Sequence, residues 1–236
     1  NHTEIISNIN NLVVSGETKE SLYNNRTIHI NGNNNETVTG NNSIHIIGNH
    51  TETIKTNKTL VVTGNTDESL YGNRIIHINA DNSETVTGNN SIHISGNYTE
   101  IISNINNLVV SGATNESLYG NRTIYINNNN SETVTGNNFI HISGNHTETI
   151  SNINNLIVSG ETKESLYGER IIYINNNNSE TITGNNFIHI SGNHTETISN
   201  TNNLIVSGET HESLYSNRKI HINADNNETV TGNNFI

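Results

Sequence analysis

A strict period of eight residues constrains this chain more than any other feature. All 18 glycines of the 236-residue sequence lie at positions divisible by eight, and no insertion or deletion shifts this phase. Glycine enters positive-φ conformations freely, and asparagine, which fills most of the other such positions, tolerates them best among the remaining residues. We therefore expect one left-handed or tight turn per octad. The representative turn glycines are Gly16, Gly40, Gly48, Gly96, Gly144 and Gly192.

Each octad also carries the pattern of a short strand. Two residues before every turn position the side chain is Ile, Val or Leu, and segments such as LIVS and IHIN lead into the turn. Alternation with β-branched residues is typical of strands, whereas a helix needs a period near 3.6. The sequence therefore predicts an all-β, repetitive fold whose core columns begin with Ile6, Val14, Leu22, Ile30, Val38 and Ile46.

The composition excludes several classes of protein. Apolar residues make up 30% of the chain and charged residues 14%, against about 45–50% and 25% in globular domains. The chain has no cysteine, so it forms neither disulfides nor thiolate metal sites. A net charge of −12 disfavours nucleic-acid binding, and no apolar run is long enough for a transmembrane segment. We also predict no enzyme activity, because no catalytic motif is present.

Two longer periods are superimposed on the octad. Two residues before the invariant apolar position, Glu alternates with Leu or Ile without exception, so that successive Glu residues lie sixteen apart. A third period of 48 relates the five ESLY segments and all five arginines. The whole chain, residues 1–236, is therefore predicted to be one continuous repetitive rod of about 29 octads.

The octad resembles that of a known family. Residues 142–149 read Ile-Ser-Gly-Asn-His-Thr-Glu-Thr, which resembles the V-x-G-x-x-x-x-x repeat of valine–glycine-repeat spikes in type VI secretion systems and of the central spike of contractile-tailed phages. The resemblance covers the whole chain, although the asparagine content exceeds what we would expect of such a spike. It implies a triple-stranded β-helix, in which three identical chains wind around one axis.

Two folds fit the repeat, and the homotrimer is favoured. The alternative is a single-chain, two-sided solenoid with sixteen residues per coil. There, each Glu would stack on the next at about 4.8 Å, which places like charges side by side. In the intertwined homotrimer, Glu alternates with Leu or Ile along each face. Three chains also thicken a core to which one octad contributes only one or two apolar side chains.

These features predict a structural function. We expect a rod or shaft of an extracellular fibre or spike, located outside the cell, at its surface or on a virion, and cut from a longer chain. The alternatives are the shaft of a cell-puncturing spike and a repetitive surface that binds glycans or ions. The expected partner is the chain itself, as a homotrimer with end-to-end or lateral assembly.

The repeated polar residues suggest further sites. Histidines of the Ile-His-Ile segments are expected to face outward as a ladder, whereas His2, His50, His146 and His194 are assigned to turns. No resident cofactor or metal is expected, although the Glu columns could hold interior cations or be paired with Arg and Lys. Phe139, Phe187 and Phe235, which recur with the period of 48, could mark a lateral contact or pack over a turn.

The chain is also rich in N-x-S/T sequons. Most of their asparagines directly follow the turn position, where a side chain should face solvent, so N-linked glycans are one hypothesis. The other is that Gly-Asn-x-Thr is simply a favoured turn. The candidate sites are Asn25, Asn41, Asn49, Asn57, Asn89, Asn97, Asn121, Asn129, Asn145, Asn177 and Asn193.

Overall fold

A computed structural model describes residues 2–120, 122–126 and 130–235 of the chain. These residues form a parallel β-solenoid of about ten coils without helices. Each coil contains three octads, and each octad supplies one strand to one of three ten-stranded sheets. The all-β prediction is therefore confirmed. No helix among the described residues could span a membrane.

We name the sheets A, B and C in chain order. Sheet A contains β1 (His2–Ile6), β4 (Arg26–Ile30), β7 (His50–Ile54), β10 (Arg74–Ile78), β13 (Tyr98–Ile102), β16 (Arg122–Ile126), β19 (His146–Ile150), β22 (Arg170–Ile174), β25 (His194–Ile198) and β28 (Arg218–Ile222). Sheet B contains β2 (Asn10–Val14), β5 (Asn34–Val38), β8 (Lys58–Val62), β11 (Asn82–Val86), β14 (Asn106–Val110), β17 (Asn130–Val134), β20 (Asn154–Val158), β23 (Asn178–Ile182), β26 (Asn202–Val206) and β29 (Asn226–Val230). Sheet C contains β3 (Thr18–Leu22), β6 (Asn42–Ile46), β9 (Thr66–Leu70), β12 (Asn90–Ile94), β15 (Thr114–Leu118), β18 (Asn138–Ile142), β21 (Thr162–Leu166), β24 (Asn186–Ile190), β27 (Thr210–Leu214) and β30 (Asn234–Phe235).

The register shows that a coil consists of three octads. Each residue of a strand pairs with the residue three octads later in the chain, as in Glu52 with Ile76 and Glu84 with Leu108. The alternative with two octads per coil is therefore wrong for this structure. Because three is an odd number, every inward Glu pairs with Leu or Ile in each strand adjacent to its own. A single chain thus avoids the stacked Glu column that counted against the two-sided form.

The apolar columns form the core as predicted. Ile30, Val38 and Ile46 are at most 1% exposed. Ile6, Val14 and Leu22 point inward too but are only partly buried, because the described chain has no coil packed beneath its first one. Along the axis, these columns stack Ile, Val and Leu at every strand, so that a chain with 30% apolar residues still buries a continuous core.

Glycine occupies the turn positions for a physical reason other than the predicted one. No described residue has positive φ, so of the two predicted forms, a left-handed turn and a tight turn, the left-handed one is wrong. A Cβ on Gly40, Gly96 or Gly192 would lie 2.4–2.6 Å from the backbone oxygen of the residue one coil earlier, and on Gly48 it would lie 2.6 Å from Asn24 C. Glycine is therefore placed where successive coils touch. Gly16 belongs to the first coil and has nothing within 4 Å, whereas Gly144 occupies the same column as Gly96 and Gly192.

The three corners differ in sequence, which the octad alone conceals. The corner between sheets B and C has glycine in all ten coils, from Gly16 to Gly232. The corner between sheets C and A is mostly glycine. The corner between sheets A and B is mostly asparagine, and there Asn200 donates to Asn176, which donates to Asn152, at 2.9–3.1 Å. Glycine thus occupies most positions at two corners, whereas at the third corner a ladder of asparagine side chains joins successive coils.

Candidate functional site

The interior of the solenoid has a polar column at the first residue of each strand. In sheet A this column alternates His and Arg, with Tyr98 replacing one His. In sheet B it is Asn, with Lys58 as its one substitution, and in sheet C Thr alternates with Asn. These side chains are inward because strand residues alternate sides and the core residue lies four positions later. The polar column is therefore a second inner layer beside the apolar one.

Ion pairs join sheets A and C across a corner. Each arginine contacts the Glu six residues before it, with N–O distances of 3.1–3.4 Å: Arg26 with Glu20, Arg74 with Glu68, Arg122 with Glu116, Arg170 with Glu164 and Arg218 with Glu212. In addition, Lys58 Nζ lies 2.6 Å from Glu52 Oε2. The prediction that inward Glu pairs with Arg and Lys is confirmed for these six carboxylates. The recurrence of arginine with the period of 48 thus places one ion pair in every second coil.

The histidines assigned to turns lie in strands. His2, His50, His146 and His194 are the first residues of sheet A strands, and the last three are at most 3% exposed. The turn assignment is wrong because the strand begins two residues after the turn position, at a side chain that points inward. His2 is exposed because it lies in the terminal coil.

These buried histidines connect one ion pair to the next. Arg122 Nη1 lies 3.2 Å from His146 Nε2, and His146 Nδ1 lies 3.2 Å from Glu164 Oε1. Since arginine can only donate, Nε2 must accept and Nδ1 must carry the proton that is donated to Glu164. Burial lowers the pKa of His146 to about 4, which agrees with a neutral ring. The same Arg–His–Glu arrangement recurs at His50 and His194.

Neighbouring carboxylates in this interior have opposite pKa shifts. The side chains of Glu148 and Glu164 are 12% and 13% exposed. Burial raises the pKa of Glu148 to about 7. Burial acts on Glu164 as well, but the guanidinium of Arg170 and the hydrogen bond from His146 hold its pKa at about 2. The difference therefore comes from direct cationic and hydrogen-bonding partners rather than from exposure.

Carboxylates on the inner side outnumber cations. Fifteen inward Glu positions face five arginines and Lys58. In sheet B, burial raises the pKa values of Glu84, Glu132 and Glu180. Two interior cavities of about 80 Å³ each are lined by such carboxylates together with Arg and Asn, and each has room for several waters. No group of three or more metal-ligating side chains occurs among the described residues.

Sheets B and C satisfy their polar columns with amide and hydroxyl ladders. In sheet B, Asn106, Asn130 and Asn154 each donate Nδ2–H to the Oδ1 of the asparagine one coil later, at 3.0–3.1 Å. In sheet C, the hydroxyls of Thr114 and Thr162 donate to asparagine Oδ1 atoms. Sequence reasoning missed these ladders. The recurrence of Asn at every third octad was the signal that could have revealed them.

The sequon asparagines also form a ladder at the corners. The Oδ1 atoms of Asn25, Asn41, Asn49, Asn89, Asn145, Asn177 and Asn193 accept the backbone N–H of the residue one coil later, at 2.8–3.5 Å. Asn25, Asn41, Asn49, Asn57, Asn89, Asn97 and Asn145 are exposed, whereas Asn177 and Asn193 are partly buried. Asn121 and Asn129 lie outside the described residues. Glycosylation stays a prediction, and these contacts supply a structural role for the Gly-Asn turn.

The outward aromatic residues lie mainly on sheet C and its following corner. His45, His93, His141 and His189 each meet edge-on the tyrosine that follows the strand one coil later, with ring centroids 5.3–5.7 Å apart. Phe187 and Phe235 stack on the two faces of His211. The Ile-His-Ile histidines thus face outward as predicted, and Phe187 and Phe235 pack along a sheet face rather than over a turn.

Comparison with known proteins finds no counterpart. No family model, no curated protein and no solved structure matches this chain. The fold and its ladders therefore carry the functional argument by themselves.

Proposed function

We propose that this chain is a structural rod, a shaft segment of an extracellular fibre or spike. The observation that carries the proposal is the unbroken register: in all three sheets each strand pairs with the strand one coil later, without a change of phase. Stability in such an array is the sum of identical units and their interfaces. Length and stiffness are the properties that this arrangement provides.

The interior ladders support the same proposal. Buried polar groups that bond from coil to coil resist sliding of one coil over another, because a shift would leave them unsatisfied. The Arg–His–Glu contacts run along the axis in the same way. Both sets of contacts therefore favour a stiff shaft with a fixed cross-section.

The number of chains per coil is part of the proposal. We propose the single-chain form, because chemical identity repeats at every third octad: ten glycines at one corner and nine asparagines with Lys58 in one column. In an intertwined homotrimer the neighbouring strand would come from the next octad of another chain, and such a three-octad recurrence would serve no contact. The homotrimer of a valine–glycine-repeat spike stays the alternative.

Total mass and length together test this form. A single chain of 25.9 kDa with ten coils is about 48 Å long, whereas a homotrimer advancing one spacing per octad is about 140 Å long. Mass per unit length is nearly the same for both, so that quantity alone is uninformative. Light scattering under conditions that keep the particles dilute, combined with small-angle X-ray scattering, should give one chain and the short rod. Three chains and the long rod would refute the single-chain form.

Resistance to proteolysis tests the rod function itself. Continuous strand pairing with short corners leaves few sites that open locally. We expect limited digestion to trim the terminal coils and to leave the central coils intact. Rapid cleavage at corners throughout the chain would contradict a stiff rod.

A further inference from the structure

Among the described residues, the outer side of sheet B is the sheet face that carries no charged side chain in any coil. Its three outward columns contain only Asn, Ser, Thr, Val and Ile in all ten coils. We call these residues the uncharged face. They are residues 11, 13 and 15 and their equivalents in every later coil, ending at Asn227, Thr229 and Thr231.

The middle column of this face is regular and β-branched. It alternates Val or Ile with Thr from coil to coil, and Val13, Val109, Ile157 and Ile205 are 41–76% exposed. The column beside it contains only Ser and Thr. Flat rows of β-branched side chains are what two sheets use when they pack face to face about 10 Å apart.

The charged groups surround this face rather than interrupt it. Sheet C carries Lys19, Asp67 and Lys163 on its outer side, and sheet A carries Lys55 and Lys219 together with outward histidines. At the corners beside the uncharged face lie Glu17, Glu161, Glu209, Asp81 and Asp225. Lys, Glu and Asp are depleted at the centre of protein–protein interfaces, and the rim is polar.

From this arrangement we propose that the uncharged face binds the same face of a second copy of the chain. The occupant follows from charge and area. Two copies with a net charge of −12 each repel one another, and this face lets their sheets approach without placing charged side chains in contact. Five strand residues by ten strands give about 800 Å² per partner, which is the size of a standard stable interface.

The proposal rests on the single-chain form. Only when one chain forms every coil do octads three apart stack directly on one another, which places these columns together on one side. A symmetric pair would bring the same residues of both copies together, as twofold interfaces do. Paired rods would give the proposed shaft twice the cross-section, and lateral association would be built into the sequence at every coil.

A matched pair of triple variants tests the interface. T85K/T133K/T181K places three lysines in the middle column of the uncharged face. T53K/T149K/T197K places the same three changes at the equivalent octad position on sheet A. Circular dichroism of both variants checks that the fold is retained. Sedimentation equilibrium over a range of concentrations gives the mass.

We expect the wild-type chain to reach twice its 25.9-kDa mass at high concentration, and the sheet A variant to do the same. The sheet B variant should raise the dissociation constant at least about 100-fold, because like charges would face each other across the interface. A T85V/T133V/T181V variant should keep the dimer.

Three results would overturn the proposal. The first is a wild type that stays at the mass of one chain, and the second is equal weakening by both lysine variants. The third is a constant mass of three chains that neither variant changes, which would refute the single-chain form as well. The first result would refute the proposed interface but leave the single-chain form in place.

Discussion

The inner sides of sheets A and B have polar residues at the same strand position but satisfy them differently. Sheet A places Arg and His there, and these groups need carboxylates from sheet C across a corner. Sheet B places Asn there, and each amide bonds to its equivalent one coil away. The first arrangement depends on several different residues meeting, whereas the second depends only on repetition. The two should therefore respond very differently to single substitutions.

The largest effect is expected from Arg170→Met. This change removes the guanidinium that lies 3.4 Å from the buried carboxylate of Glu164. Removing one partner of a buried ion pair costs about 3–5 kcal/mol. Chemical denaturation at neutral pH should show a loss of this size. A loss below about 1 kcal/mol would mean that the network contributes no more than surface pairs do.

A double variant separates the contribution of the ion pair from the cost of leaving one buried charge unpaired. R170M combined with E164Q removes the arginine together with its direct carboxylate partner. Because most of the cost lies in the charge left behind, the double variant should be more stable than R170M alone. Additive losses would contradict this account.

A smaller effect with the opposite sign is expected from Glu148→Gln. The pKa of Glu148 in the folded state is about 7, above its ordinary value of 4.5. The folded chain therefore binds more protons than the unfolded chain between these values, and this group lowers stability as pH rises from about 4.5 to above 7. The substitution should stabilise the protein by up to about 3 kcal/mol above pH 7 and have little effect below pH 4.5.

The control for this variant is Glu164→Gln, which changes a carboxylate of similar exposure. Its pKa is held at about 2, so ionised Glu164 stabilises the fold above its ordinary pKa, and that contribution is lost as pH falls toward 2. E164Q should therefore destabilise at neutral pH. Thermal unfolding of both variants from pH 4 to pH 8 measures the two signs, and equal signs would contradict the partner-based explanation.

Lys58→Asn tests the replacement of an ion-paired side chain by an asparagine of the amide ladder. The substitution restores asparagine in the column of sheet B, between Asn34 and Asn82, but removes the cation that lies 2.6 Å from Glu52. We expect a net loss of about 2 kcal/mol, because the unpaired carboxylate outweighs the new amide bonds. Adding E52Q should recover stability. A stabilising K58N would show that the amide ladder contributes more to stability at this position than the ion pair with Glu52 does.

The smallest effect is expected from Asn154→Ala in sheet B. Asn154 accepts from Asn130 and donates to Asn178 at 3.0 Å. Neutral amide bonds contribute about 1 kcal/mol each, and the cost of unsatisfied partners is reduced if water enters the space. Urea denaturation should show a loss of about 1–2 kcal/mol. A loss as large as that of R170M would remove the distinction between the two sheets.

Much of the local structure was predictable from the sequence. The phase of the strand, the inward Ile, Val and Leu columns and the alternation of Glu with apolar residues all follow from side chains that alternate about a strand. The outward position of the Ile-His-Ile histidines follows from the same rule. The turn conformation was not predictable in this way, because glycine is selected both for positive φ and for close backbone contact, and only the stacked coils distinguish these reasons.

The histidine assignments show where local reasoning fails. His50 and His146 follow the turn by two residues, and a polar residue there fits a turn as well as a strand. Their burial becomes apparent only when Arg and Glu from other coils surround them. The buried network depends on contacts between different octads, and the eight-residue period does not contain that information.

The sequence by itself determined that the chain is a repetitive β-structure with one strand per octad, because strand alternation and β-branched residues act locally. The tertiary structure decided that three octads complete a coil, because that number depends on how the sheets close around the apolar columns. It also decided which repeated residues become neighbours. From that follow the ion pairs between sheets A and C, the amide ladder of sheet B and the uncharged face on its outer side.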